Sequence, residues 1–143
     1  MNTSKMPRSF KMMGIELNVK VSKEDSGNKI SSIEQIVAPG AGSPPHILHD
    51  ADKMIYVIEG KFLLRNGDEK IEAGPGTIAY IPKGVIHNFK NIGSEKGKIL
   101  VTLTPAGHEE FLYDLSQRLQ SENPSPQLMK EVGSLHHVEM VMG

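Results

Sequence analysis

Gly40-Ala-Gly-Ser-Pro-Pro-His46-Ile-Leu48-His49-Asp-Ala-Asp-Lys53-Met-Ile-Tyr56-Val-Ile-Glu-Gly60 decides how this chain is read. A Gly/Pro-rich lead-in delivers His46, Asp50-Ala-Asp52 reads as a turn, and Met54 to Ile58 is rich in strand-forming residues. Side chains two apart on a strand share a face, so positions 46 and 48 point the same way and position 49 points the other. Glu59-Gly60 makes a tight turn into Phe62-Leu63-Leu64.

Outward from this stretch, the chain keeps the rhythm of short strands. Upstream, Ile15, Leu17, Val19 and Val21 alternate with polar residues, as in a half-buried strand. Ser26-Gly27-Asn28 is a turn, and Ile30 to Val37 is a second strand whose irregular apolar spacing suggests a bulge. Residues 1–13 lack periodicity and read as an N-terminal arm. Downstream, Asn66-Gly67-Asp68 is a strong hairpin signal. Gly76-Thr-Ile-Ala-Tyr-Ile-Pro82-Lys-Gly84-Val-Ile-His87-Asn-Phe89-Lys-Asn91 gives strand, turn, strand, and Lys98 to Leu103 is the last long strand. Turns every eight to twelve residues indicate an all-β sandwich or closed barrel over 14–104.

After Pro105 the period changes. Phe111, Leu112, Leu115 and Leu119 form one helical stripe, with Glu109 and Glu110 in the first turn and Arg118 in the last. A second helix is capped by Ser125, started by Pro126 and ended by Gly133. Val138 and Met140 in the tail could add an edge strand. The 105–143 segment is thus a short C-terminal helical tail, and the 143 residues form one domain.

Composition excludes several functions. No cysteine is present, so disulfides and cysteine zinc sites are out. A net charge of −1 with mixed signs offers no basic face for nucleic acid. No apolar run suggests a secretory signal or a membrane helix, so the reading is a cytoplasmic protein with no membrane or nucleic-acid partner.

The two quoted stretches resemble the paired motifs of the cupin family. The second matches at each fixed position, Gly76, Pro82, Gly84, His87 and Asn91. The first matches at Gly40, His46 and Gly60, but Leu48 stands where a second His belongs and Lys53 where a Glu belongs. Fifteen residues separate Gly60 from Gly76, the short spacing of small single-domain microbial cupins, and the helical tail is similar to that of quercetinase-like members. The resemblance covers roughly Ile30 to Pro105. It implies a double-stranded β-helix, or jelly-roll barrel, often dimeric, with a pocket at one mouth where three His and one Glu hold a divalent transition metal.

Here that ligand set is reduced to His46 and His87, with His49 available only if a bulge turns it inward. Leu48 has no lone pair. A charged Lys53 about 4 Å from a divalent ion would oppose it by roughly 8 kcal/mol at an effective dielectric near 20. The sequence therefore favours a cupin that binds a small, anionic organic ligand through Lys53, Tyr56 and Phe89, without a tightly bound metal. Two alternatives stay open: a metal-dependent oxygenase or isomerase using His46, His87 and His49, and a non-catalytic dimeric module. Whether the chain is an enzyme stays open too. His108 reads as a residue near a helix start, Asn91 as a turn holder, and His136-His137 as a solvated pair. A homodimer is expected through the spare face of the strand Ile15 to Val21.

Overall fold

A computed structural model describes residues 6–141. Two antiparallel sheets face each other. Strands β1 (Ser9–Met12), β2 (Ile15–Val21), β3 (Ser31–Val37), β5 (Asp52–Glu59), β8 (Ile78–Ile81) and β10 (Gly97–Thr104) form one sheet, in the order β1-β2-β3-β10-β5-β8. Strands β4 (His46–Leu48), β6 (Phe62–Asn66), β7 (Glu69–Ala73), β9 (His87–Asn91) and β11 (Val138–Met140) form the other, in the order β11-β4-β9-β6-β7. This is the expected all-β double-stranded β-helix. Between the sheets lie Leu17, Ile33, Val37, Ile55, Val57, Phe62, Leu64, Ile99, Val101 and Leu103, all essentially inaccessible to solvent. Each comes from the in-phase half of a period-2 pattern.

Three local readings change. Part of the 1–13 arm is a strand, β1, and not irregular chain. Ser9-Phe10-Lys11-Met12 alternates polar and apolar, and Phe10 and Met12 pack on the core while β1 pairs with β2. Four residues were too few for that alternation to stand out. Residues 1–5 of the arm lie outside the described residues. The turn at 26–28 is preceded by a one-turn helix, α1 (Lys23–Ser26). Ser22 and Asp25 form a reciprocal capping box and Gly27 closes the turn in the left-handed region. The irregularity placed in the second strand belongs to its partner, where the register slips between Val19 and Val21.

The tail forms α2 (His108–Arg118) and α3 (Pro126–Ser134), then β11 on the edge of β4. Ser125 caps α3 as expected, but Gly133 lies inside the helix instead of ending it. A Cβ there would meet the Val138 carbonyl oxygen at 2.5 Å, so the glycine allows β11 to lie against the helix. Phe111, Leu112 and Leu115 of α2, with Leu128, Met129 and Val132 of α3, are buried and close one mouth of the barrel. No helix among the described residues is long and apolar enough to cross a membrane.

Asn91 holds its turn through its side chain. Its amide donates to the Val37 and Glu95 carbonyls, each at 2.9 Å, and its carbonyl accepts from the Gly93 amide at 2.8 Å. Asn91→Ala removes three bonds of a buried side chain, each worth about 1 kcal/mol net. The variant should lose roughly 3 kcal/mol of stability, read as a lower urea midpoint at unchanged slope.

Candidate functional site

The site is built across the two sheets. His46 and His87 are directly opposed on β4 and β9, with ring centroids 4.2 Å apart. Lys53 enters from β5 of the facing sheet, where the alternation Lys53, Ile55, Val57 points inward. Its position is set locally. The Asp52 carboxylate accepts from the Lys83 amide, and the Gly84 amide donates to the Leu48 carbonyl, which ties β4, β5 and the turn before β9 together. Gly84 takes φ +86°, a left-handed conformation that favours glycine.

The tautomers follow from hydrogen bonding. His46 donates from Nδ1 to the Pro44 carbonyl at 2.9 Å, and His87 donates from Nδ1 to the Val85 carbonyl at 3.0 Å. Neutral, both rings then carry a lone pair on Nε2. Lys53 Nζ sits 3.1 Å from His87 Nε2 and donates to it. Lys53 is only 3 % exposed, and no carboxylate among the described residues pairs with it.

Burial sets the charge state. Desolvation pushes the Lys53 ammonium down to about 7. The same burial, then the nearby Lys53 charge, lowers His46 to about 3 and holds His87 further below the usual imidazole range. The pocket therefore carries at most one added proton near neutral pH, and that proton is on Lys53.

Two wall residues went unrecognised in the sequence. His108, at the start of α2, stacks nearly parallel to His46 with centroids 6.5 Å apart, and burial holds it well below the ordinary imidazole range. Its helix is pinned over the mouth because the Gly107 amide donates to Ser31 Oγ at 2.9 Å. Gln35 is buried and faces the same cavity from β3. Its place in the run Ile33, Gln35, Val37 was a usable signal. Nothing local in the sequence tells that His108 reaches His46.

The cavity they enclose is about 50 Å³. Lys53, His46, His108, Gln35 and Phe89 line it, under a lid of Phe111, Leu112 and Met129. Its partly exposed rim is Met12, Met13 and the loop Gly42–Pro44. His108 also borders an outer groove of about 350 Å³. A larger concavity of about 440 Å³ lies between the N-terminal segment and α2. Arg8 pairs there with Asp25 and His136 with Asp114, while the buried Glu109 accepts from the Lys23 amide through Oε2 and leaves Oε1 without a partner among the described residues. The concavity does not touch His46, Lys53 or His87.

The other sequence candidates fall elsewhere. Phe89 is a core residue, edge-on to Phe62, that reaches the cavity wall. Tyr56 is on the outer face of β5 and 41 % exposed, because it is out of phase with Lys53. It does not line the cavity. His49 also points outward, 2.8 Å from Glu139 of β11, since no bulge turns it in. His137 is exposed near Asp50.

These residues do not fit a family-type metal. Leu48 is buried beside His46 and offers no donor, and His87 Nε2 already accepts from the Lys53 amine. Among the described residues, no group of three or more His, Asp or Glu is arranged to hold an ion.

Comparison with known proteins agrees with the barrel. The sequence model of a cupin domain matches residues 33–103. The chain belongs to the cupin family. This cupin is 34 % identical over 85 residues to an uncharacterized protein of Methanocaldococcus jannaschii, covering 59 % of this chain and 68 % of that one. KdgF from Halomonas sp. superposes with a TM-score of 0.65 at 17 % identity, over 71 % of this chain and 89 % of that one. The polyketide cyclase RemF from Streptomyces resistomycificus gives a TM-score of 0.56 at 27 % identity, over 68 % of each chain.

Proposed function

We propose that this cupin binds a small anionic organic ligand at Lys53, in a barrel without a tightly held metal. The observation that carries the reading is the Lys53 amine, buried between the sheets and 3.1 Å from His87 Nε2, with no carboxylate among the described residues to neutralise it. An ammonium there lacks a counter-ion, and a ligand carboxylate or enolate supplies one. Gln35 adds a polar side chain on the cavity wall, and Phe89, Phe111 and Leu112 add apolar walls. The ligand is small. At 10–15 Å³ per water-sized probe, the cavity holds about three to five waters. A cyclase among the structural neighbours is consistent with a cupin barrel that handles organic molecules.

The test is a calorimetric titration with acetate and oxalate across pH. The ligand binds the ammonium form, so affinity should be full below pH 7. Above about 7 it should fall by about tenfold per pH unit as the free pocket loses its proton. Lys53→Gln should abolish binding. Equal affinity at pH 6 and pH 9 would count against the reading.

We also propose a homodimer, but through a different surface from the strand Ile15–Val21. Strand β2 is paired on both sides and its outward residues Glu16, Asn18 and Lys20 are polar. The exposed apolar face is on β5 and the edge strand β8, where Met54 and Tyr56 are paired with Tyr80 and Ile78. Ile78→Lys with Tyr80→Glu should convert a dimer to monomer in sedimentation velocity. A wild-type chain that sediments only as monomer at micromolar concentration would remove the proposal.

A further inference from the structure

We infer that Lys53 is a nucleophilic amine that captures a small carbonyl compound, an aldehyde or a 2-oxo acid, as an imine. The inference rests on the ligand-binding reading of the same pocket and names its substrate class. The geometry carries it. Lys53 Nζ gives a hydrogen to His87 Nε2 at 3.1 Å, and His87 is itself fixed by its Nδ1 bond to Val85. Held through an N–H, a neutral amine keeps its own lone pair free. Among the described residues, no carboxylate lines the cavity to fix a proton on it. The surroundings are Phe89, Phe111, Leu112, His46 and His108, which exclude bulk water from the nitrogen. Among the described residues, Lys53 is the only lysine lining this cavity.

The chemistry balances without an oxidant or reductant. The Nζ lone pair attacks the carbonyl carbon, a C–N bond forms as the C=O π bond breaks, and one Nζ proton passes through His87 Nε2 to the oxygen, giving a neutral carbinolamine. The nitrogen then releases its proton through His87 Nε2 to the departing hydroxyl. The hydroxyl leaves as water and the C=N bond forms. The cavity's size limits the partner to a few heavy atoms, and a 2-oxo acid would present its carboxylate to the same enclosure.

The test uses the full chain with glyoxylate and cyanoborohydride, read by intact mass and peptide mapping. The expected result is one reduced adduct per chain on Lys53, formed at least tenfold faster than on the chain's exposed lysines, and lost in Lys53→Gln. Adducts spread over exposed lysines with Lys53 spared would overturn the inference. A parallel titration with acetate, which has no electrophilic carbonyl, separates it from the ligand-binding reading. Acetate binding with no Lys53 adduct removes the imine and leaves the anion site. A Lys53 adduct without acetate binding supports the imine and removes the anion site. Neither result removes both.

Discussion

Leu48→His with Lys53→Glu should turn a chain that binds divalent metal weakly into one that binds it tightly. Positions 46 and 48 share the inward face of β4, and position 53 faces them from the opposite sheet. His46 and His87 already hold Nε2 lone pairs in place through their Nδ1 bonds to Pro44 and Val85. What the wild-type pocket lacks is donors, since Leu48 has none and the Lys53 amine occupies His87 Nε2. Below pH 7, where Lys53 is charged, repulsion adds to that deficit. Structural zinc sites contribute about 10–16 kcal/mol over four ligands, or about 3 kcal/mol per ligand. Two restored ligands should therefore raise affinity by about four orders of magnitude. Zinc titrated into both proteins at pH 7.5 checks this. Failure of the double variant to bind would mean that the four positions do not converge.

The second large effect is on stability. Lys53→Met should stabilise the protein near neutral pH, because it removes a buried amine that must lose its proton or remain uncompensated. The folded-state value near 7 is below the unfolded value of 10.5, so the unfolded chain binds the extra proton between these limits. The native state's penalty is full below pH 7 and disappears as pH approaches 10.5. At about 1.4 kcal/mol per pH unit this is on the order of 5 kcal/mol. Leaving His87 Nε2 without a donor returns about 1–3 kcal/mol. Methionine fills nearly the same volume in a flexible apolar form. The variant should be more stable by roughly 2–4 kcal/mol at pH 6.5, and the gain should vanish or reverse by pH 9.5. Parallel urea melts at the two values decide it. A variant less stable than wild type at pH 6.5 would be inconsistent with the buried, unpaired amine.

The barrel was legible because strand periodicity and turn residues are local. Gly60, Gly76 and Gly84 all adopt positive φ, as the tight turns required. The motif positions aimed His46 and His87 at one pocket, but the side Lys53 takes was open in the sequence, because a turn separates it from His46 and alternation fixes a face only once the strand is known. Face assignment worked against two candidates by the same rule. Tyr56 is odd-numbered steps out of phase with Lys53, and His49 is out of phase with His46. His108 was not legible, since its approach to His46 depends on how α2 docks through Ser31 and Gly107. Strand β1 was missed because a four-residue alternation carries little weight until its partner strand is known.

Lys53 stands at the heart of the pocket as a buried amine with no carboxylate partner among the described residues. NMR of the lysine side-chain ¹³Cε, with Lys53→Met to assign the signal, measures this directly. One lysine should titrate near pH 7, apart from the rest. A Lys53 signal that titrates with the exposed lysines, near 10.4, would contradict it.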